Sequence, residues 1–555
     1  MTTKYGSSVN GDANINSANR EDYVADMVFN FQKTFKERHK LLALLGYSYQ
    51  VQNDDGAYAR AMGFMSDALM YYKLQAGETR PVVSSYKNKH VLASYFGRAQ
   101  YSFKDKYLFT FTARIDGSDR FGKNNRYAFF PSGAFAWRMN QEDFLKDVNW
   151  LSDAKLRVSM GQVGNENLPN DAASEYFAFD GRNYYLGDTE KRGVNLGKFG
   201  NPDLKWETTT EVNFGLDFGF FRNRINGSVD VFFKEVKDLL SWRSLPHTAV
   251  TTGIWSNIGK TKSTGFELTL NTVNLEGPLH WESTLTYTSY RDRWKERDPK
   301  WKPNAYDEYN GWMRYYSGYL SDGLVQVGET IDHMPGALPG QVKIKDIDGY
   351  VYESDGSIKV DKHGIPMKTG KPDGKLDDAD KVIYGSADPG YLFGFNNTLR
   401  WKNFDLNVYF YGQFDKLSAG SYKKQWLSNN VNDLRRGYNQ PTSISDLWSS
   451  SNPNGTLPGY FQTESAYGVG DYYYEKTWFI RCRNITLGYN IPIKTSKHIL
   501  SNVRVYFDVN NPFTITPYTG LDPETDISSS ESAPSQLQWA YPNVRTYSFG
   551  LDITF

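Results

Sequence analysis

The sequence predicts an all-β fold, an antiparallel transmembrane β-barrel with long extracellular loops. Three observations predict it. Apolar residues fall at every second position through many segments of about 10 residues, the length that crosses a bilayer as a tilted strand. Tyr, Phe and Trp number 40, 34 and 14 and make 16% of the 555 residues, more than a buried core needs. Tight turns alternate with long, irregular connections rich in Gly and aromatic residues, as on the two rims of such a barrel.

The alternation runs the length of the chain. YLFTFTARID (107–116) carries Arg114 and Asp116 on its polar side. TEVNFGLDF (210–218) sets Val212, Phe214, Leu216 and Phe218 against Glu211, Asn213, Gly215 and Asp217. INGSVDVFF (225–233) puts Asn226 and Asp230 on the polar side. FDLNVYFY (404–411) and VRVYFDVN (503–510) repeat the pattern, and YSFGLDITF closes the chain with it. Successive strand side chains point to opposite faces, so each segment has one apolar and one polar side. About 16 such segments are countable, each longer than the usual sandwich strand of about 5 to 6 residues. Turns such as RNRING, LEGPL and KNF join them in pairs. Residues 1–22 read as a ragged segment or loop, and 23–555 as barrel with a loop insertion at about 346–380.

Composition excludes several classes. Lys+Arg and Asp+Glu both number 63, so no net charge draws the chain to nucleic acid. Cys482 is alone, which leaves no internal disulfide and no CxxC metal site. No apolar run approaches the roughly 20 residues of a membrane helix. Mean hydropathy is −0.61, low because only alternate residues of a barrel strand face lipid. The start, MTTKYGSSVNGDANINSANRED, has neither the basic opening nor the apolar stretch of a signal peptide. Seven scattered histidines form no HExxH, and there is no GxSxG elbow and no phosphate-binding loop, so no enzyme is expected.

Several strings closely resemble the SusC/RagA-like TonB-dependent outer-membrane transporters. They are YSFKDKYLFTFTARIDGSDRFGKNNRYAFFPSGAFAWRM (101–139), LKWETTTEVNFGLDFGFFRNRINGSVDVFFKEVKDLL (204–240) and SNIGKTKSTGFELTL (256–270). GFNNTLRWKNFDLNVYFYGQ (394–413), WFIRCRNITLGYNIP (478–492), PFTITPYTGLDPETD (512–526) and YPNVRTYSFGLDITF (541–555) continue the series in order. The resemblance implies nutrient import across the outer membrane, of glycans or peptides, with a SusD-like surface lipoprotein as lid and TonB acting through a plug domain. Family members are proteins of about 1,000 residues with a plug, a TonB box and a barrel of about 22 strands. This chain shows neither plug nor TonB box, so the upstream strands and plug are expected from elsewhere and TonB is not expected to touch it. Two other readings stay open, a passive porin or surface adhesin and a soluble secreted glycan-binding β protein.

Three candidate sites follow. Tyr547, Phe549, Leu551, Ile553 and Phe555 match the C-terminal insertion signal of outer-membrane barrels, with the odd positions toward lipid and Asp552 toward the lumen. Asp346, Asp348, Asp373, the Lys375 carbonyl, Asp377 and Asp380 fit positions 1, 3, 5, 7, 9 and 12 of a calcium loop. That loop is split by YVYESDGSIKVDKHGIPMKTGKP (350–372), which reads as an inserted β-hairpin, and calcium is the single cofactor considered. Trp294, Trp301, Trp312, Tyr315, Tyr472 and Tyr473 lie in loops where aromatic faces beside polar groups suit sugar rings or peptides. Strand parity is lost between 292 and 390, so the first of these loops has no side assigned, whereas 416–476 and 512–544 belong outside.

Overall fold

Strands form where the two-residue alternation runs, and each is antiparallel to the next. The structure, a computed structural model, describes residues 4–554 apart from 79–81, 188, 419–438, 440, 441, 460–465, 493–500 and 525–540. Among the described residues fifteen strands join the large sheet in chain order, against the roughly 16 expected. The packing divides the chain into two units, 1–137 with 158–212 and 236–259, and 138–157 with 213–235 and 260–555.

The first unit holds β1 (Asp12–Phe35), β2 (His39–Met62), β3 (Val82–Phe103), β4 (Tyr107–Ser118) and most of β5 (Tyr127–Arg138). β1 begins inside the stretch expected to be a ragged loop. DANINSANRED has no apolar side, so the alternation that marks a strand is invisible there. Pairing with β2 holds it instead, from Asp12 opposite Met62 to Phe35 opposite His39, with Arg60 on Asp12 at 2.5 Å. β1 to β3 are each far longer than the 9–11 or so residues that cross a bilayer, so they project beyond it at one end. At the other end the turns are tight. Lys36 and Glu37, then Lys104 and Asp105, sit at φ 45°, 54°, 54° and 55°, the left-handed pair at the centre of a tight turn within each three-residue connection.

Like β5, whose Arg138 falls in the second unit, three further strands have residues in both units, β6 (Leu151–Asn165), β7 (Glu207–Phe220) and β8 (Ile225–Lys237). The second unit continues with β9 (Lys260–Leu275), β10 (Leu279–Glu296), β11 (Tyr391–Trp401) and β12 (Phe404–Phe414). It ends with β13 (Phe479–Asn490), β14 (Asn502–Ile515) and β15 (Thr546–Thr554). β15 pairs with β14 from Thr546 opposite Asn510 to Thr554 opposite Asn502.

The two faces of the strands differ as the alternation requires. On the second unit's apolar face Phe214 and Leu216 are 48% and 39% exposed, and among the described residues no second sheet covers them. The opposite face of the same strands carries ions. Arg157 bonds Asp217 at 2.9 Å and Asp230 at 3.0 Å, and Lys155 reaches Asp217 at 2.6 Å. Further along, Arg504 joins Asp405 at 2.6 Å and Asp552 at 3.3 Å. Apolar cores lie mainly in the long loops, the first reaching Phe130 on β5. Phe121, Phe130, Leu168, Leu204 and Trp206 form one in the first unit, and Leu324, Met334, Val342, Ile344 and Trp448 form one in the second.

Candidate functional site

Strand pairing resolves the side of the 297–390 loop. β10 pairs directly with β11, Leu279 with Trp401 through Ser289 with Tyr391. The tight turn at 402–403 then leads into β12, so 297–390 and 415–478 leave the sheet at the same end. Within the long loop, Tyr315–Gly318 pairs with Val382–Ser386 and Ser321–Leu324 with Val342–Ile344. These short strands close on each other and not on the barrel sheet, which is why counting strands along the sequence loses parity there.

Five of the six nominated aromatic residues are engaged in packing or bonds, and Trp294 lies near the end of β10 where a loop was expected. The Arg297 guanidinium lies over both Trp294, at 4.9 Å, and Trp301, at 4.4 Å, and bonds the Tyr309 and Glu308 carbonyls. The Tyr315 hydroxyl donates to Asp307 at 2.5 Å, and burial together with that carboxylate pushes the phenol well above its usual range. Tyr472 stands edge-on to Tyr473 at 5.5 Å and donates to the Thr456 carbonyl, while Tyr473 is buried.

Trp312 differs. It bridges Arg293 at the end of β10, and with Tyr290, Arg291, Asp292, Arg314 and Asp388 it lines a cavity of about 280 Å³. Its indole Nε1–H is buried without a hydrogen-bond partner among the described residues. Arg291 and Arg293 lie 5.7 and 5.9 Å over its ring. Arg314 donates to Asp388 at 2.8 Å. Burial holds the Asp388 carboxyl above its ordinary range, Asp292 adding to the shift and Arg314 opposing it. Sequence reasoning missed Arg291, Asp292, Arg314 and Asp388. The signal was the run RDR at 291–293, which charges both faces of a strand and so marks where it leaves the apolar zone.

The split acidic loop is joined across its insertion. Asp346 accepts from the amides of Asp373 at 3.3 Å and Gly374 at 2.7 Å. Asp380, fully buried, accepts from Ile347 at 2.8 Å, Asp348 at 3.1 Å and Asp377 at 2.9 Å. Asp348 takes the Gly370 amide, Asp373 that of Lys375 and Asp377 that of Ala379. Calcium needs about six to eight oxygens turned to one point. Here the carboxylates turn to backbone amides, and among the described residues no three acidic side chains converge. The arrangement does not fit the ion. The insertion is a finger folded back twice, with bridges Tyr352–Ile358, Val360–Pro366 and Tyr350–Lys368, where a single hairpin was expected.

On β15, Tyr547, Phe549, Leu551 and Ile553 are exposed at 63%, 78%, 55% and 44%, opposite Val509, Phe507, Val505 and Val503. Phe555 lies outside the described residues. Asp552 sits on the other side, against Arg504.

Strands with an apolar and an ionic face, joined by tight turns and long loops, are those of an outer-membrane β-barrel. The family model "TonB dependent receptor-like, beta-barrel" matches residues 2–351. TonB-dependent receptor P3 of Formosa agariphila is 31% identical over 576 residues, 99% of this chain and 54% of its own length. TonB-dependent receptor SusC of Bacteroides thetaiotaomicron is 33% identical over 500 residues, 85% of this chain and 44% of its own. The structure of the RagAB peptide transporter superposes with a TM-score of 0.79 at 24% identity, over 98% of this chain and 56% of that one. The chain belongs to the TonB-dependent receptor β-barrel family, with SusC/RagA-like relatives, and its place is the outer membrane. That removes the soluble secreted reading. The chain spans about half the length of the curated relatives it matches.

Proposed function

We propose that this chain supplies barrel wall and loops to an outer-membrane importer of glycans or peptides, working with a SusD-like surface lipoprotein and energised through TonB. Its similarity to TonB-dependent receptors along 99% of its length carries the reading. The ionic inner face gives polar cargo a hydrated wall, and the cavity beside Trp312 gives it a place to stop at the loop rim. Deleting the gene should abolish growth on the cognate glycan or peptide as sole source. Complementation should restore it only in a strain with working TonB. Normal uptake without TonB, accompanied by steady conductance in planar bilayers, would instead identify a passive pore.

A further inference from the structure

We infer that the cavity beside Trp312 is a subsite for a primary ammonium group with a neighbouring acceptor oxygen. That chemistry is shared by the amino end of a peptide and by a 2-amino sugar. The inference rests on reading the chain as part of an importer, and it goes further by naming what the rim selects.

The charges of the cavity's cations are already paired, although the Arg314 Nε–H is buried without a partner among the described residues. Arg291 donates to Ser386 at 3.2 Å, to the Asp388 carbonyl at 2.5 Å and to the Asp415 carbonyl at 3.0 Å, and it also pairs with the Asp415 carboxylate. Arg314 holds Asp388. The carboxylates are less well served. Asp292 has an ion pair with Lys234 at 3.8 Å and no side-chain hydrogen bond among the described residues. Asp388 Oδ1 accepts a single donor from Arg314, whereas an ionised carboxylate offers about four acceptor sites. Two carboxylates lining one partly buried cavity make each other's charge costlier.

An ammonium brings three donors and a charge that relieves both. The Trp312 Nε1–H and the Arg314 Nε–H are buried without hydrogen-bond partners among the described residues, and both need an acceptor. In an N-terminal residue the carbonyl oxygen lies three bonds from the ammonium nitrogen, and in a 2-amino sugar the hydroxyl oxygen on the adjacent ring carbon lies equally near. A neutral polyol meets the indole but leaves the carboxylate charges alone. An anion meets repulsion from Asp292 and Asp388.

The test is calorimetric titration of the detergent-purified full-length protein with four probes: tetraalanine, N-acetyl-tetraalanine, the glucosamine trimer and the N-acetylglucosamine trimer. The free amine should bind about tenfold tighter than its acetylated partner in at least one pair, and the pair that discriminates identifies the source. Asp292→Asn should remove the difference while the heat-modifiable gel shift persists. Trp312→Phe, which keeps the packing, should weaken the amine ligand. Equal affinity within both pairs, no binding by any probe, or discrimination that survives both variants overturns the subsite. Uptake that continues under those results leaves the importer standing. Probe binding without TonB-dependent uptake strikes the importer reading alone.

Discussion

The strand wall of the second unit and the loops above it use the same aromatic residues in opposite ways. On the wall, Phe214 and Phe549 stand exposed at 48% and 78%, and their partner is lipid. In the loops, Trp448 is buried at 8% and bonds Gln326 at 3.0 Å, while Arg297 sits against two tryptophans. Charge is reversed as well. The wall hides its ions from lipid by facing them inward, and the loops build theirs into joints between segments. An aromatic count therefore says little until each ring is assigned to a face.

The joint should break hardest. Arg481 and Asp522 have side chains only 3% and 5% exposed, and Arg481 also reaches Glu524 at 2.6 Å. Arg481→Ala leaves Asp522 buried without its cation, which costs about 3–5 kcal/mol. Urea titration and proteolysis within 516–545 should show the loss. An unchanged cleavage pattern would mean that the pair does not tether that loop.

The wall comes next. Phe214→Arg should cost about 2–4 kcal/mol in vesicles, because the charge meets hydrocarbon. Asn213→Ala, one position away on the inner side, should change little. Equal effects from the two would remove the distinction between faces.

Loop aromatics should separate from one another by a smaller margin. Trp301→Ala removes one stacking partner of Arg297, a contact worth about 0.5–2 kcal/mol, and should loosen the 297–311 segment. Amine-probe affinity at the Trp312 cavity should not move with it. A matching loss of affinity would show that the two tryptophans act as one site.

A pH-dependent effect concerns the first unit. His90 bonds Asp119 at 2.7 Å and Glu166 at 3.2 Å, beyond the end of β4 and so outside the bilayer span. Those two hydrogen bonds raise the imidazole from 6.5 to about 9. Because the folded value lies above the unfolded one, the stabilisation is full below pH 6.5 and fades as pH rises through about 9. Hydrogen exchange at 119–126 should quicken across that window, and His90→Gln should flatten the response. A window centred on the ordinary histidine value would mean the pairs do not hold the proton.

The wall was legible in the sequence because lipid imposes a strict period of two, so Phe214, Leu216, Phe549 and Leu551 sort by parity alone. Residues 12–22 were not legible, since a strand projecting past the bilayer needs no apolar side and is fixed by its partner's register. The split loop gave up its adjacency but not its chemistry. Spacing put Asp346 near Asp373, yet nothing in spacing shows that their oxygens turn to amides. Trp312 was named with five other rings, and the contact of Arg297 with Trp294 and Trp301 depends on side-chain positions that no repeat encodes.

The finger at 350–372 rises from a base latched by Asp346 and Asp380. Those carboxylates clasp amides on both sides of the inserted segment, and Lys368, Thr369 and Gly370 add bonds to Lys381, Gly349 and Asp348, so the stem is fastened below its outer part. Residues 352–361 can thus be exchanged for a foreign epitope or a dye-binding tag, and the graft would be displayed on the loop without unfastening its mount.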